Sequence, residues 1–174
     1  MDASHFVWAG FFGFLWCLAR IFIPTPSGRQ RFSVLGALNA LTKQVVAVFS
    51  DGNVNSWTVI QLMLEIRRFR NGTPISLILD NAGYQRCYLV QAAAKLMEIE
   101  LVFLPPYSPN LNLIERFWKF VKKKCLYSKH YESFESFKNT IRACVENAHL
   151  HHAEELSALL SLRFQTFESK KQAA

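Results

Sequence analysis

Apolar residues recur at helical spacing in some segments of this chain and form short continuous runs in others. Together these two patterns predict a mixed α/β fold. Residues 31–41 and 44–50 are two apolar runs joined by a two-residue polar turn, which predicts an antiparallel strand pair. Within residues 55–69, apolar side chains recur at helical spacing, which predicts an amphipathic helix. The chain therefore begins its regular structure with a hairpin followed by a helix.

The second half of the pattern predicts a parallel crossover and a helical end. Residues 75–79 and 99–104 are short apolar runs typical of buried strands, and residues from about 85 to 97 between them have helical character. Short connections between these elements predict that the two strands are parallel. Three helices are predicted after them, at about residues 111–126, 131–149 and 153–162. The result is an α/β architecture, a mixed sheet flanked by helices.

Length and charge narrow the class of protein. The chain has 174 residues, 51% of them hydrophobic, which suits one globular domain with a substantial core. We assign residues 1–150 to this domain and residues 151–174 to a C-terminal helix and frayed tail. The net charge of +7 indicates an acidic partner, with nucleic acid first among the candidates. A basic protein without such a partner is the alternative.

Residues 6–24 are rich in aromatic side chains but have neither the pattern of a signal peptide nor that of a membrane span. They lack a basic leading region and a small-residue cleavage site, and Arg20 and two glycines interrupt the apolar run. We expect buried strand or loop structure here, and no membrane association. The four cysteines are widely spaced without a CxxC pair, which favours reduced thiols in a cytosolic protein over zinc or disulfides.

Two acidic residues lie at positions typical of a ligand-binding site. Asp80 directly follows a predicted buried strand, and ligands of open α/β sheets bind outside the carboxyl ends of the strands. Glu115 opens a basic helix after a turn, residues 104–109, that three prolines stiffen. Paired carboxylates beside positive charge suggest a divalent-metal site that acts on phosphates. Turn or helix capping is the alternative for both acids, and Asp51, in a Ser-Asp-Gly-Asn turn, is expected to be structural.

The motifs around these acids closely resemble those of the DDE transposases in the mariner-like bacterial insertion-sequence group. Asp80 begins an Asp-Asn-Ala tripeptide, and 34 residues separate it from Glu115 within the block LPPYSPNLNLIERFW, residues 104–118. The proline-rich block is the specific part of the match. Asp2-Ala-Ser-His-Phe resembles the family's first acidic motif, and residues 26–39 resemble its second strand with the segment before it. The resemblance covers about residues 2 to 150.

The resemblance implies an RNase H-like fold and a catalytic, metal-binding triad of Asp2, Asp80 and Glu115. Such a site holds two ions, Mg²⁺ or Mn²⁺, about 3.5–4 Å apart, and two ions need three flanking carboxylates. The implied activity is metal-dependent DNA strand cleavage and strand transfer at insertion-sequence ends. The implied partners are transposon-end and target DNA and a second copy of the chain, in the cytoplasm of a bacterium.

The sequence departs from the family pattern in three places. Leu113 stands where the family usually has proline, and Gln85 stands near where many members have histidine. The chain begins one residue before Asp2, so the resemblance implies an N-terminally truncated domain with its first strand largely missing. A catalytically inactive DNA-binding remnant is therefore the alternative function, and another RNase H-like nuclease is a third.

Residues that surround the triad complete the predicted site. Basic residues are expected to contact DNA phosphates without reading sequence; they are Arg116, Lys119, Lys122, Lys123, Lys124, Arg29 and Arg31. A solvated helix face is the alternative for those on the predicted helix. Asn81, His5 and Asn112 are expected beside the metal ligands rather than on the metal, although packing explains His5 equally well. Trp118 is expected to pack beneath the sheet.

Overall fold

The computed structural model describes residues 1–9, 11–14, 16–26, 28, 30–105 and 112–162. Within them, the strands are β1 (Asp2–Trp8), β2 (Gln30–Leu38), β3 (Val45–Ser50), β4 (Ile75–Leu79) and β5 (Ile99–Phe103). The helices are α1 (Ser56–Phe69), α2 (Tyr88–Leu96), α3 (Leu113–Leu126), α4 (Phe134–His151) and α5 (Ala153–Leu159), with a 3₁₀ turn at Gly83–Gln85. The predicted α/β class and order of elements are confirmed.

The strands form two pieces of sheet that meet at the start of β1. β1, β2 and β3 pair antiparallel in that order, and β4 pairs parallel with β5, as the crossover predicted. The Met1 amine donates a hydrogen bond of 2.6 Å to the carbonyl oxygen of Ile78 in β4. This bond brings Asp2, the next residue, to the carboxyl end of β4.

The expectation that the first strand is largely missing is wrong for the residues from Asp2 onward. β1 pairs with β2 along all seven of its residues, from Asp2 opposite Gly36 to Trp8 opposite Gln30. The strand forms because alternate side chains, Ser4 and Phe6, turn inward and are buried, whereas the residues between them remain accessible. Asp2 is therefore part of a paired strand rather than a loose terminus.

The alternation of side chains in β2 builds a core on each face of the antiparallel sheet. Phe32 and Val34 pack with α3, α4 and α5 on one face, and Leu35 and Ala37 pack with α1 and α2 on the other. All four side chains are buried. A strand covered on both faces reads as a continuous apolar run, which explains the unbroken pattern of β2. The sheet is the middle layer of three.

α1 has a well-defined start that fixes its position over the sheet. Asn55 is the N-cap, and its Oδ1 accepts from the backbone N–H of Trp57 at 3.0 Å and of Thr58 at 3.2 Å. The Thr58 hydroxyl accepts in return from the Asn55 backbone N–H at 3.3 Å, which completes a capping box. The cap turns the chain directly from the end of β3 into the helix that covers β2.

α3 packs against the sheet through one close approach. A Cβ atom added to Gly36 of β2 would lie 2.9 Å from two ring carbons of Trp118 and 3.3 Å from Cδ1 of Ile114. Trp118 is buried and packs edge-on against Phe6 of β1, with ring centroids 6.5 Å apart. The predicted packing of Trp118 beneath the sheet is confirmed. Glu115, one helical turn before Trp118, is thereby held next to Asp2, which pairs with Gly36.

The aromatic segment between β1 and β2 is not buried, contrary to the expectation from sequence. Phe14, Trp16 and Phe22 are exposed. Phe12 forms an isolated bridge with Tyr127 after α3, and the carbonyl oxygen of Pro24 lies 3.1 Å from Nε2 of His130. In the described part of the chain, no helix is long and apolar enough to cross a membrane.

Candidate active site

Three separate elements bring the predicted acids to one region. Asp2 begins β1, Asp80 directly follows β4, and Glu115 is the third residue of α3. A cleft of about 300 Å³ opens beside Asp2 and Glu115. Its lining consists of Asp2, Ala3, Ser4, His5, Glu115, Trp118, Lys119 and Lys122. The start of β1, the end of β4 and the start of α3 therefore meet at one edge of the fold.

The charges of the three acids act on one another. The pKa of Asp2 is raised from 3.8 to about 6, first by burial and then by the negative charges of Asp80 and, more weakly, Glu115. Burial also raises the pKa of Glu115; the charge of Asp80 adds to this increase, and Lys119 opposes it. Burial and the charge of Asp80 raise the pKa of the Tyr84 hydroxyl as well. The three acids thus repel one another, and Lys119 opposes this effect at Glu115.

The acids surround the site without converging on a single point. Among the described residues, no group of three or more histidine, cysteine, aspartate or glutamate side chains is close enough together to hold one metal ion. Asp80 is exposed, whereas Asp2 and Glu115 are partly buried. The arrangement therefore offers oxygen donors on three elements, with Asp80 at the accessible edge.

Hydrogen bonds fix the carboxylate of Asp80 and the turn after it. Gln85 Nε2 donates to Asp80 Oδ1 at 2.5 Å, and Gln85 Oε1 accepts from the backbone N–H groups of Asn81 and Ala82 at 3.1 and 3.2 Å. Asn81 has a left-handed backbone with φ of 80°, and its side-chain oxygen accepts from Arg86. Asn81, predicted beside the ligands, is adjacent to Asp80 and shapes the turn, whereas Gln85 is not among the residues predicted for the site.

His5 lies in the cleft and takes part in a polar contact across β1 and β2. Its Nδ1 is 3.0 Å from the hydroxyl oxygen of Ser33. Burial, and then the positive charges of Arg31 and Lys122, lower the pKa of His5 below 6.5. The imidazole is therefore predominantly neutral at pH 7 and able to donate or accept a hydrogen bond. His5 lines the same cleft as Asp2, and its predicted supporting role stays a prediction.

The lysines predicted to contact DNA point in different directions. Lys119 and Lys122 line the cleft, one helical turn apart on α3. Lys124 instead forms an ion pair with Glu155 of α5, with Nζ and Oε2 2.9 Å apart. Lys123 is exposed and is not among the cleft residues. Lys119 and Lys122 therefore place positive charge next to the acids, as does the Met1 amine, whose charge lowers the pKa of Asp2.

The predicted arginines have contacts outside the cleft. Arg116 Nη1 donates to the carbonyl oxygen of Ser161 at 3.0 Å, beyond the end of α5. Arg31 donates to the side-chain oxygen of Asn53. Arg29 lies outside the residues that the structure describes. Arg116 and Arg31 thus join neighbouring elements of the domain in addition to contributing charge.

Asn112 marks the entry to α3. It is the N-cap residue and is buried, and its carbonyl oxygen accepts from the Glu115 backbone N–H at 3.2 Å. Its side chain makes no capping hydrogen bond, and within the described ranges its Nδ2 has no partner. Most of the proline-rich turn before it, residues 106–111, lies outside the described residues, so its predicted rigidity stays a prediction.

Asp51 has a structural contact, as its turn sequence suggested. Its Oδ2 lies 3.1 Å from Nζ of Lys138 on α4, and the same amine lies 3.0 Å from Glu135. Asp51 is not among the residues of the cleft. It is therefore a suitable control acid for experiments on the other three.

Comparison with known proteins gives a family and a fold. Residues 20–138 match the family described as DDE superfamily endonuclease. An uncharacterized protein of Sinorhizobium fredii (strain NBRC 101917 / NGR234), y4pE/y4sA, is 34% identical over 70 residues, which are 40% of this chain and 49% of that protein. The family match covers more than half of the chain and includes Asp80 and Glu115.

Solved structures with the same fold are transposase complexes. The Mos1 strand transfer complex superposes with a TM-score of 0.65 at 13% identity, over 91% of this chain and 49% of that one. The Mos1 mariner paired-end complex with Mn superposes with a TM-score of 0.62 at 14% identity, over 91% and 52%. The predicted RNase H-like fold is thus confirmed. This chain spans about half the length of these relatives.

Proposed function

Because this chain belongs to the DDE superfamily endonucleases, we propose that it is the catalytic domain of a transposase. It would cleave DNA at insertion-sequence ends and join the resulting 3′-hydroxyls to target DNA. The observation that supports this most strongly is that the start of β1, the end of β4 and the start of α3 bring Asp2, Asp80 and Glu115 into one region. They are close enough that the charge of Asp80 adds to burial in raising the pKa of Asp2 and of Glu115. Structural carboxylates are normally paired with cations or caps, whereas these repel one another.

The chemistry of the three acids fits divalent cations. Carboxylate oxygens are the hard donors that Mg²⁺ and Mn²⁺ prefer, and burial of unneutralised carboxylates favours binding of a cation. Asp2, Asp80 and Glu115 would hold the ions, two in the proposed function. When bound, such ions activate an attacking water or 3′-hydroxyl and stabilise the leaving oxygen. The side chains of the triad need only orient the ions and need not form a covalent bond to DNA.

Lys119 and Lys122 would bind the DNA backbone beside the acids. Both are exposed on α3 and line the same cleft, so a phosphate seated there would neutralise them while its scissile bond faces the carboxylates. The net charge of +7 adds attraction that is independent of sequence. Two copies of the chain would hold two transposon ends together, in the cytoplasm of a bacterial cell.

Substitution of the acids in the full chain tests the proposal. The substrate is duplex DNA that contains the genomic segment around the gene with its terminal repeats, incubated with Mn²⁺. Asp80→Ala and Glu115→Ala are expected to lower the strand-cleavage rate at least about 10³-fold, because each removes a ligand that stabilises charge in the transition state. Asp51→Asn, which changes an acid outside the cleft, is expected to cleave at the wild-type rate.

The outcomes separate the candidate functions. Cleavage by Asp80→Ala or Glu115→Ala at the wild-type rate would refute the proposed triad. Wild-type DNA binding without Mn²⁺ binding by calorimetry would identify the chain as a DNA-binding remnant. Cleavage of an RNA–DNA hybrid in preference to transposon-end duplex would identify a different RNase H-like nuclease.

A further inference from the structure

We propose that Gln85 is a positioning residue for Asp80, an inference that rests on the proposed metal-dependent function. Gln85 is 0% exposed, although it lies in a turn next to the accessible edge of the site. A buried carboxamide must satisfy its polar atoms, and this one does so entirely on the residues around the acid. Nε2 donates to Asp80 Oδ1, and Oε1 accepts from the backbone N–H groups of Asn81 and Ala82.

The two backbone contacts determine which way the carboxamide faces. Because N–H groups can only donate, the atom that meets Asn81 and Ala82 must be the oxygen of Gln85. The nitrogen is then directed at Asp80, 2.5 Å away. The side chain thus joins the end of β4 to the 3₁₀ turn and holds Oδ1 of the acid. Among the described residues Oδ2 has no hydrogen-bond partner, so it is available to a ligand.

A neutral donor suits this place better than a cationic one. A lysine or arginine at hydrogen-bond distance would neutralise Asp80 and oppose a metal cation electrostatically, whereas a carboxamide restrains the carboxylate and adds no charge. The structure therefore assigns to Gln85 the orienting role that groups next to metal ligands have in general: it fixes the rotamer of Asp80 before the cation arrives.

Mn²⁺ affinity of the full chain, measured by calorimetry, tests this role. Gln85→Met has a similar length but can neither donate to Asp80 nor accept well from the two N–H groups. Gln85→Asn keeps the amide but is one methylene too short to make both sets of contacts. Each is expected to weaken Mn²⁺ binding roughly 10–100-fold, the usual effect of removing a hydrogen-bond partner of a metal ligand. Gln61→Met, at an exposed position of α1, is the matched control and should bind within about twofold of wild type.

Thermal unfolding without metal separates positioning from simple structural support. A purely structural Gln85 would lower the melting temperature but leave the Mn²⁺ affinity of the folded protein unchanged. If Gln85→Met does not fold, Gln85→Asn decides. Wild-type Mn²⁺ affinity in a folded Gln85 variant overturns the positioning role and leaves the proposed function intact. Failure of the wild-type chain itself to bind Mn²⁺ overturns the proposed function, and the role of Gln85 with it.

Discussion

The folded protein disfavours the charged form of Asp2, and the pH dependence of the free energy of unfolding should reveal this effect. Its pKa is about 6 in the folded chain, against an ordinary value of 3.8, so the folded state binds more protons than the unfolded state between these values. The free energy of unfolding should therefore fall as pH rises from about 4 to 6 when no metal is present, and this contribution should then level off. Denaturant unfolding across this range measures it.

Asp2→Asn supplies the control for this pH dependence. Without metal, the variant should be more stable than wild type at pH 7.5 and similar to it at pH 4, because asparagine removes a charge that only the neutral-pH protein carries. Saturating Mn²⁺ should reverse the order at pH 7.5, since wild type gains a ligand that the variant lacks. An identical pH dependence in both proteins would show that Asp2 is not the responsible group.

The site residues that could be predicted from the sequence are those whose role does not depend on contacts formed only in the folded chain. Asp80 and Glu115 were predictable from a strand end, a helix start and a family motif. Gln85 was not, because its role depends on the left-handed turn at Asn81 that folds the backbone around its carboxamide. The different partners of Lys119 and Lys124 were equally hidden, since adjacent turns of one helix face a cleft and a neighbouring helix.

At the scale of elements, the contact between α3 and β2 depends on the absence of a side chain at Gly36. Gly36→Ala would place a methyl group 2.9 Å from the Trp118 ring, so α3 must shift. We expect the free energy of unfolding to fall by about 1–3 kcal/mol, the usual cost of overpacking. Chemical denaturation measures this loss, and Mn²⁺ affinity should fall as well because Glu115 moves with the helix.

Two further variants isolate the clash at Gly36. Gly52→Ala adds the same methyl group where its nearest neighbour is 3.7 Å away, so its cost should be small. Trp118→Phe combined with Gly36→Ala should show a favourable coupling, because the smaller ring vacates the space that the methyl group needs. Equal costs for Gly36→Ala and Gly52→Ala would contradict the proposed contact.

The elements themselves were largely predictable because each has a strong local signal. β4 was predicted with its observed bounds from a five-residue run, four of them apolar, between a proline and an acid, and α1 from its helical periodicity. Residues 6–24 were predicted to be buried, but Phe14, Trp16 and Phe22 are exposed, because apolar composition alone does not tell whether a core is available to receive the side chains. Pairing of β1 with β2 was missed for the same reason: it depends on a partner strand more than twenty residues away.

The whole molecule brings together two pieces of sheet, and the candidate site lies where they meet. β1 to β3 carry Asp2, the end of β4 carries Asp80, and α3 carries Glu115. Leu35 of β2 shares one core cluster with Leu77 of β4 and Ile99 of β5, and the Met1–Ile78 hydrogen bond is a direct backbone link between the two pieces. A cation held by acids from both pieces would therefore act as a cross-link within the fold, in addition to its chemical role.

This arrangement predicts how metal changes the dynamics of the whole domain. Saturating Mn²⁺ should slow amide hydrogen exchange in β4 and β5 as well as in β1 and β2. At a Mn²⁺ concentration 100 times the dissociation constant, the free energy of the opening that permits exchange should rise by as much as about 2.7 kcal/mol. Asp80→Asn changes the proposed ligand at the end of β4, so Mn²⁺ should then protect β4 and β5 far less. Exchange followed by mass spectrometry on peptides from each strand measures both effects. Slowing confined to β1 and β2 in the wild-type chain would show that the cation does not join the two pieces.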